Sequence, residues 1–199
     1  MNIAYFDTFA GISGDMTLGA FIHAGVPLEH LRIELTKLGV SGYSLHSRII
    51  ERSAISAVKI DVETEDEDRH EHHHNHPQPH SHRSLADILS LIKSSGLTAR
   101  IQSRAERIFI VIGEAEAKIH NTTIDKIHFH EVGAVDSIVD IVGACICLEY
   151  FDIEKLYSSP VRIGNGGFVN TQHGTMPIPT PATVEILKGY PTIPTEIPH

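Results

Sequence analysis

A mixed α/β fold, with a small sheet, packed helices and a disordered histidine-rich insertion, is predicted by three features of the sequence. An apolar stretch at 2–6 has the length of a strand, and residues 43–49 and 58–62 alternate apolar with polar side chains. Residues 101–119 repeat apolar positions at the three- and four-residue spacing of an amphipathic helix. With 199 residues, of which 41% are hydrophobic, the chain can bury a sizeable core.

Residues 1–63 are predicted to form an alternating α/β unit. The first strand leads through a loop with two glycines into a helix over 16–24, and a second helix begins at Pro27 and ends before Gly39. We expect the two alternating strands that follow to pair antiparallel beside the first strand.

Composition changes abruptly at residues 64–83. Four consecutive acidic residues precede seven histidines, and the stretch contains no apolar side chain that could offset the entropy cost of ordering it. We therefore expect a flexible acidic and histidine-rich loop between two folded parts. Its histidines are His70, His72, His73, His74, His76, His80 and His82.

The part after this loop, 84–199, is predicted to begin with helices and to end with strands and turns. A capping box at 84–87 starts one helix, and a further helix covers 135–150. A strand at 156–163 and a glycine turn precede a short helix capped by Thr180. A longer helix lies between the helix that starts at 84–87 and the helix over 135–150. It is expected to bury Ile101, Ala105, Ile108, Ile112, Ala115 and Ile119.

Charge and cysteine content exclude several functional classes. The formal net charge of −9 with neutral histidine argues against a nucleic-acid-binding surface and permits cationic ligands. No apolar run is long enough to span a membrane and the amino terminus lacks the pattern of a signal peptide, so we expect a cytoplasmic protein. Cys145 and Cys147 cannot form a disulfide framework and are expected in the core.

The histidine-rich loop is the strongest chemical signal in the sequence. Imidazole binds nickel, copper, zinc and cobalt, and the neighbouring acidic residues raise the local concentration of cations. A flexible segment suits capture and release of an ion better than catalysis, which needs a fixed geometry. The alternative is a solvated low-complexity linker.

A second group of candidate residues surrounds the turn before the helix at 135–150. It consists of His128, His130, Glu131, Asp136 and Asp140. In an extended segment the two histidines point to the same side, and the two aspartates share one face near the positive end of the helix. Such a set could hold a divalent cation or pair a base with a metal-bound phosphate. The alternative is an ordinary polar helix start.

The loop after the first strand is a third candidate. Backbone N–H groups freed by Gly11 and Gly14 could hold an anion, and Asp7 or Asp15 could hold a metal beside it. The loop has no lysine, so it is not a Walker loop, and an ordinary tight turn is the alternative. Glycines also cluster at 164–167, ahead of His173. They could let a ligand approach the backbone, but an ordinary turn is the preferred interpretation.

Three blocks of the sequence together resemble a known family. YFDTFAGISGDMTLGA at 5–20, HFHEVGAVDSIVDIVG at 128–143 and HGTMPIPTPATVEILKG at 173–189 are similar to the nickel-insertion proteins of the nickel-pincer cofactor pathway, the LarC family. The resemblance covers essentially the whole chain in the same order. A variable histidine-rich insertion between the two halves is also usual in that family.

The resemblance implies insertion of nickel into pyridinium-3,5-bisthiocarboxylic acid mononucleotide, which gives the pincer cofactor of lactate racemase-type enzymes. Ni²⁺ is then a substrate of a metal-inserting lyase, and the family reaction depends on CTP and on Mn²⁺ or Mg²⁺. The implied partners are the mononucleotide, a carboxy-terminal half of the same protein, a lactate racemase-type apoenzyme and further copies in a homo-oligomer. Nucleic acid and membrane are not among them.

The resemblance also implies roles for the candidate residues. The histidine-rich loop recruits nickel, and the group at 128–140 forms a metal or catalytic site. Family members are commonly about twice this length and bind CTP through their carboxy-terminal part, so we expect this chain to be an amino-terminal half. The loop residues implied to bind substrate phosphate or a metal are Asp7, Gly11, Ser13, Gly14 and Asp15.

Two other functions fit parts of the sequence. A nickel store or metallochaperone without turnover would need only the histidine-rich loop. A phosphoryl-transfer enzyme with Asp7 as nucleophile is a further alternative, but Phe9 occupies the position where a second aspartate is expected.

Deletion of residues 71–82 is expected to lower the number of nickel ions bound per chain, because it removes six of the seven loop histidines. Isothermal titration calorimetry measures the stoichiometry, and circular dichroism checks that the deleted chain folds. An unchanged stoichiometry in a folded chain would contradict the recruiting role.

Overall fold

A computed structural model describes residues 1–52, 54–64, 83–129, 132–171 and 173–195, and it confirms the mixed α/β class. The helices are α1 (Gly14–His23), α2 (Leu28–Thr36), α3 (Leu85–Ser94), α4 (Ala99–Ile119), α5 (Val135–Tyr150) and α6 (Pro181–Ile186). The strands are β1 (Asn2–Phe6), β2 (Tyr43–Arg52), β3 (Ile55–Thr64), β4 (Arg83–Ser84), β5 (His128–Phe129), β6 (Ile153–Ser158), β7 (Val161–Ile163), β8 (Phe168–Thr171), β9 (Gly174–Pro177) and β10 (Thr192–Pro194). None of the helices in these ranges is long and apolar enough to cross a membrane.

The described strands form five two-stranded sheets. β1 with β6 and β7 with β10 are parallel, whereas β2 with β3, β4 with β5 and β8 with β9 are antiparallel. The prediction that β2 and β3 lie beside β1 is wrong, because β1 pairs with β6. β2 and β3 follow each other closely and pair along their whole length, whereas the parallel partner of β1 is reached only through the long crossover formed by α1 to α5.

The predicted capping box and the start of α5 are confirmed, whereas α1 begins at Gly14, two residues before the predicted start. Ser84 completes the capping box of α3, since its Oγ accepts the backbone N–H of Asp87 at 3.1 Å and a carboxylate oxygen of Asp87 accepts the N–H of Ser84 at 2.9 Å. Thr98 caps α4 by accepting the backbone N–H of Ile101 at 3.3 Å. Helix α5 has the bounds that its sequence pattern predicts.

The predicted buried face of α4 is partly wrong. Ile101 and Ala105, near the start of the helix, are buried as expected. Ile108 and Ile119 are 38% and 39% exposed, and Phe109 is fully buried instead. Ala115, farther along the same repeat, is buried as expected, so the exposed positions depend on how neighbouring elements pack against α4 and not on the repeat alone.

One hydrophobic core joins elements from both sides of the histidine-rich segment. Its fully buried members include Leu18 of α1, Ile60 of β3 and Phe109 of α4. Cys145 and Cys147 of α5 lie in this core as predicted, and burial raises the pKa of each thiol to about 12. Both cysteines therefore stay protonated at neutral pH. The division of the chain into units before and after the histidine-rich segment stays a prediction.

Helix α1 approaches β3 at a distance that only glycine allows. A Cβ on Gly19 would overlap the carbonyl oxygen of Val58 and lie 3.4 Å from its carbonyl carbon. Since Gly19 has no side chain, the helix backbone rests directly on the strand, and the neighbouring Leu18 and Phe21 enter the core. This contact fixes α1, and with it the loop that precedes the helix.

Substitution of Gly19 by alanine is expected to destabilise the fold by about 1–3 kcal/mol, because the added methyl group forces α1 away from β3. Gly96→Ala is the matched control, since a Cβ there meets only the flexible side chain of Lys37 at 3.6 Å. Urea unfolding measures both variants. Equal midpoints for Gly19→Ala and Gly96→Ala would contradict the close helix–strand contact.

Candidate functional site

The loop before α1 ends in a tightly bonded helix cap. Ser13 is the N-cap residue, and its Oγ accepts the backbone N–H of Met16 at 3.4 Å while donating to the carboxylate of Asp15. Thr17 donates its hydroxyl to the carbonyl oxygen of Ser13 at 2.7 Å. The hydroxyl proton of Ser13 is thus directed at Asp15, and this contact holds the Asp15 carboxylate at the first turn of the helix.

Gly14 brings this helix start against α5. A Cβ on Gly14 would lie 2.6 Å from both Cβ and Cγ of Asp140, closer than real Cβ atoms approach their neighbours. The glycine therefore makes room for the Asp140 side chain. Together with Asp15 of α1 and Asp136 of α5, this residue forms what we call the acidic cluster: Asp15, Asp136 and Asp140.

Asp140 has an unusual electrostatic environment. Its Oδ1 is buried and has no hydrogen-bond partner there. Burial, and next the negative charges of Asp15 and Asp136, raise the pKa of the Asp140 carboxyl from 3.8 to about 7. A carboxyl with a pKa of this size exchanges its proton readily at neutral pH and can act as a general base.

The acidic cluster forms one wall of an open cleft of about 770 Å³, which we call the acidic cleft. β2 and β3 supply the other wall, where Arg48 Nε donates to Asp61 at 3.0 Å and Lys59 Nζ lies 2.6 Å from the same carboxylate. His46 Nε2 lies 3.4 Å from a carboxylate oxygen of Glu63. The acids on this wall have basic partners, and the hydrogen bond from Lys59, with the charge of Arg48, lowers the pKa of Asp61.

The two walls give the cleft an uneven charge. No Lys, Arg or His in the described part of the chain forms an ion pair with Asp136 or Asp140, whereas the β2–β3 wall carries the guanidinium of Arg48. The volume lies in the range of pockets that hold small organic ligands. The arrangement suits a ligand that has a positive part and a negative part.

His128 of β5 lies elsewhere. It lines a smaller pocket of about 80 Å³, which we call the histidine pocket and which also contains Glu116, His120 and His173. His128 is not among the residues that line the acidic cleft. The structure thus brings Asp136 and Asp140 to the loop before α1 and places His128 against α4 and the β8–β9 turn.

The remaining predicted residues fall into two groups. Asp7 is exposed after β1, and Gly11, with φ +88°, closes a turn by donating its N–H to Thr8 O at 3.0 Å; neither lines the acidic cleft. His130 and Glu131 lie outside the described residues. The predicted metal residues also lie outside them: His70, His72, His73, His74, His76, His80 and His82.

Sequence reasoning missed two parts of these sites. His46 and Arg48 occupy alternate positions of β2, and this two-residue spacing of basic side chains on a predicted strand was the signal that could have found them. His120 ends α4 and carries no local pattern that distinguishes it from a polar helix end. Within the described ranges, no three His, Cys, Asp or Glu side chains are arranged to hold a metal ion.

The family model described as "Nickel insertion protein" matches residues 4–198. The chain belongs to this nickel insertion protein family. A pyridinium-3,5-bisthiocarboxylic acid mononucleotide nickel insertion protein of Geobacillus kaustophilus is 45% identical over 198 residues, which are 100% of this chain and 47% of the relative. The protein of the same name from Clostridium kluyveri is 47% identical over 194 residues, 96% of this chain and 48% of the relative.

The chain spans about half the length of the curated relatives it matches. No solved structure matches it. Within the family match lie both blocks that form the acidic cluster, the loop before α1 and the start of α5.

Asp140→Asn is expected to stabilise the fold above pH 7 and to change little near pH 4. The unfolded carboxyl ionises near 3.8, whereas the folded one holds its proton to about 7, so ionisation costs the folded state stability as the pH rises between these values. Since Asp140 is only partly buried, we expect a rise in melting temperature of about 2–4 °C at pH 8, the effect of 1 kcal/mol.

Asp125→Asn is the control, because its expected effect on the stability of the fold has the opposite sign. A hydrogen bond from Thr123 lowers the pKa of Asp125, so its replacement should destabilise the fold above pH 4. Thermal unfolding at pH 4, 6 and 8 measures both variants. A melting temperature of Asp140→Asn that falls with rising pH relative to the parent would contradict the repulsive environment.

Proposed function

We propose that this chain provides the substrate cleft and the proton acceptor for insertion of nickel into pyridinium-3,5-bisthiocarboxylic acid mononucleotide, a metal-inserting lyase reaction of the cytoplasm. The observation that carries the proposal is the Asp140 carboxylate, partly buried, unpaired and held against Gly14 in the acidic cleft. The names of the relatives, which specify this substrate, support it.

The charge of the cleft matches the charge of the proposed substrate. A pyridinium ring is permanently positive and Ni²⁺ adds positive charge, so both are favoured beside Asp15, Asp136 and Asp140. The phosphate of a mononucleotide is negative, and Arg48, whose Nε binds Asp61, has further guanidinium N–H groups that suit phosphate oxygens. We therefore orient the ring toward the acidic cluster and the phosphate toward β2.

Asp140 performs the proton transfer in this proposal. In the product, nickel is bonded to a ring carbon and to two sulfurs, so the carbon–hydrogen bond must break as the carbon–nickel bond forms. The electron pair of the broken bond goes to nickel, and the proton goes to the Asp140 carboxylate. A base with a pKa of about 7 is well matched to neutral pH, because a large fraction is ionised and the remaining affinity for the proton is high.

The acidic cluster does not fit the triphosphate of CTP. A free triphosphate would be repelled by Asp15 at the start of α1 and by Asp136 and Asp140 of α5, and Ser13 already donates its proton to Asp15. We therefore derive no step that involves CTP. We propose CTP use, docking of a lactate racemase-type apoenzyme and homo-oligomer formation for the whole protein only. In the relatives, this match covers about half of the whole length.

A divalent ion such as Mn²⁺ or Mg²⁺ fits the chemistry of the cluster better, because carboxylate oxygens are its preferred ligands. Asp15 and Asp136 are the residues that would hold it. When bound, such an ion would offset part of the negative charge of the acidic cluster.

Asp140→Asn is expected to lower the rate of cofactor formation by about 10²–10⁴-fold, because it removes the proton acceptor. The assay combines this chain with the part that the longer relatives carry, and supplies nickel, the mononucleotide and CTP. Mass spectrometry follows the exchange of one hydrogen for nickel. The parent should also show a rate that rises with pH around 7, and the variant should lose this rise.

Asp125→Asn controls for general effects of removing an aspartate, since Asp125 lies outside both the acidic cleft and the histidine pocket. A full rate in Asp140→Asn would contradict the proton-acceptor role. Nickel binding without any product in the parent, under the same conditions, would contradict insertion and favour a nickel store or metallochaperone.

A further inference from the structure

Three histidines from two parts of the chain line the histidine pocket. His120 follows the last turn of α4, His128 lies on β5, and His173 lies in the turn between β8 and β9. The backbone thus gathers imidazoles from three elements, although 45 positions separate the last two in the numbering. Local chain proximity explains why His120 and His128 meet, but it cannot explain the presence of His173.

Two of the three rings are in direct contact. The ring centroids of His120 and His173 are 4.8 Å apart, with an interplanar angle of 41°. Nitrogen–metal bonds of 2.0–2.1 Å place the centroids of two adjacent imidazole ligands on one ion roughly 4.5–5 Å apart. The spacing of these two rings matches that of neighbouring ligands around a single ion as well as that of an ordinary ring contact.

Glu116 supplies the supporting carboxylate that histidine ligands commonly have. Its Oε2 lies 3.4 Å from His120 Nε2, one helical turn away on α4. A carboxylate at one ring nitrogen orients the imidazole and leaves the other nitrogen directed away, which strengthens that nitrogen as a ligand.

The pocket has the size for an ion and a few water molecules. Its volume of about 80 Å³ is far below the 300 Å³ or so at which pockets for small organic ligands begin. Phe129, Val132 and Met176 form part of its wall. Imidazole ligands favour divalent ions of the nickel, copper and zinc group over Mg²⁺.

We infer that His120 and His173 form an open binding site for a divalent transition ion, with water molecules in the remaining coordination positions and His128 at the edge of the pocket. The site is open because no third donor among the described residues is already in place. An open site exchanges its ion, which suits transfer rather than storage. That the ion in the cell is Ni²⁺ rests on the proposed function; binding of such an ion by this pocket does not.

The experiment requires a chain without the loop histidines, whose imidazoles would mask a second site. We would replace His70, His72, His73, His74, His76, His80 and His82 by asparagine, which keeps the length of the chain. The deletion of 71–82 is the second background, in case the first does not fold. Binding of Ni²⁺, and of Co²⁺ for its visible absorption, is then titrated.

Each background is expected to bind one Ni²⁺ in the pocket. His120→Ala and His173→Ala should each weaken this binding at least tenfold, and Glu116→Gln should weaken it by about tenfold through the orientation of His120. His30→Ala is the matched control, because His30 also contacts an aromatic ring, that of Tyr150 at 5.0 Å, but does not line the pocket. It should leave binding unchanged.

Unchanged Ni²⁺ affinity in the His120→Ala, His173→Ala double variant would overturn the inference, as would equal weakening by His30→Ala. Circular dichroism excludes unfolding as the cause of a loss. The result is independent of cofactor formation: if Asp140→Asn forms product at the full rate while the pocket variants lose nickel, the proposed proton acceptor fails and the pocket stands.

Discussion

The contact between the start of α1 and Asp140 of α5 is the constraint on which the candidate site depends. Gly14 leaves the space that the Asp140 side chain occupies, and Gly19, five residues on, lets the same helix rest on the backbone of β3. These two close approaches fix α1 between a helix and a strand. Because α1 cannot move away, Asp15 is held beside Asp136 and Asp140 despite the repulsion among three carboxylates.

The sequence predicts local structure well where the signal is local. The capping box at Ser84 and the extent of α5 follow from neighbouring residues, and both are as predicted. The partner of β1 was predicted wrongly, since strand pairing across a long crossover depends on packing that no short pattern encodes. The exposed Ile108 shows a related effect, because Ala115 of the same repeat is buried and only the packing of neighbouring elements separates the two.

The sequence predicted several residues of the candidate site, but it did not predict which of them lie together. Asp15 and Asp140 stood out as chemistry-bearing side chains in separate blocks, but only Gly14, through a close approach invisible in the sequence, explains why they meet. His128 and Asp136 are near in sequence, yet they line different pockets. β5 and the start of α5 point to different neighbours, so spacing along the chain could not assign them to one site.

The repulsion that burdens ionised Asp140 also favours the reaction proposed for it. Before proton transfer, the cleft holds a partly buried carboxylate next to the charges of Asp15 and Asp136. When Asp140 takes up the ring proton, this charge disappears and both the burial penalty and the repulsion are relieved. Part of the free energy needed to break the carbon–hydrogen bond is then already present in the folded protein. A well-paired carboxylate with an ordinary pKa would offer no such gain, so the absence of a basic partner at Asp140 within the described residues favours the proposed reaction.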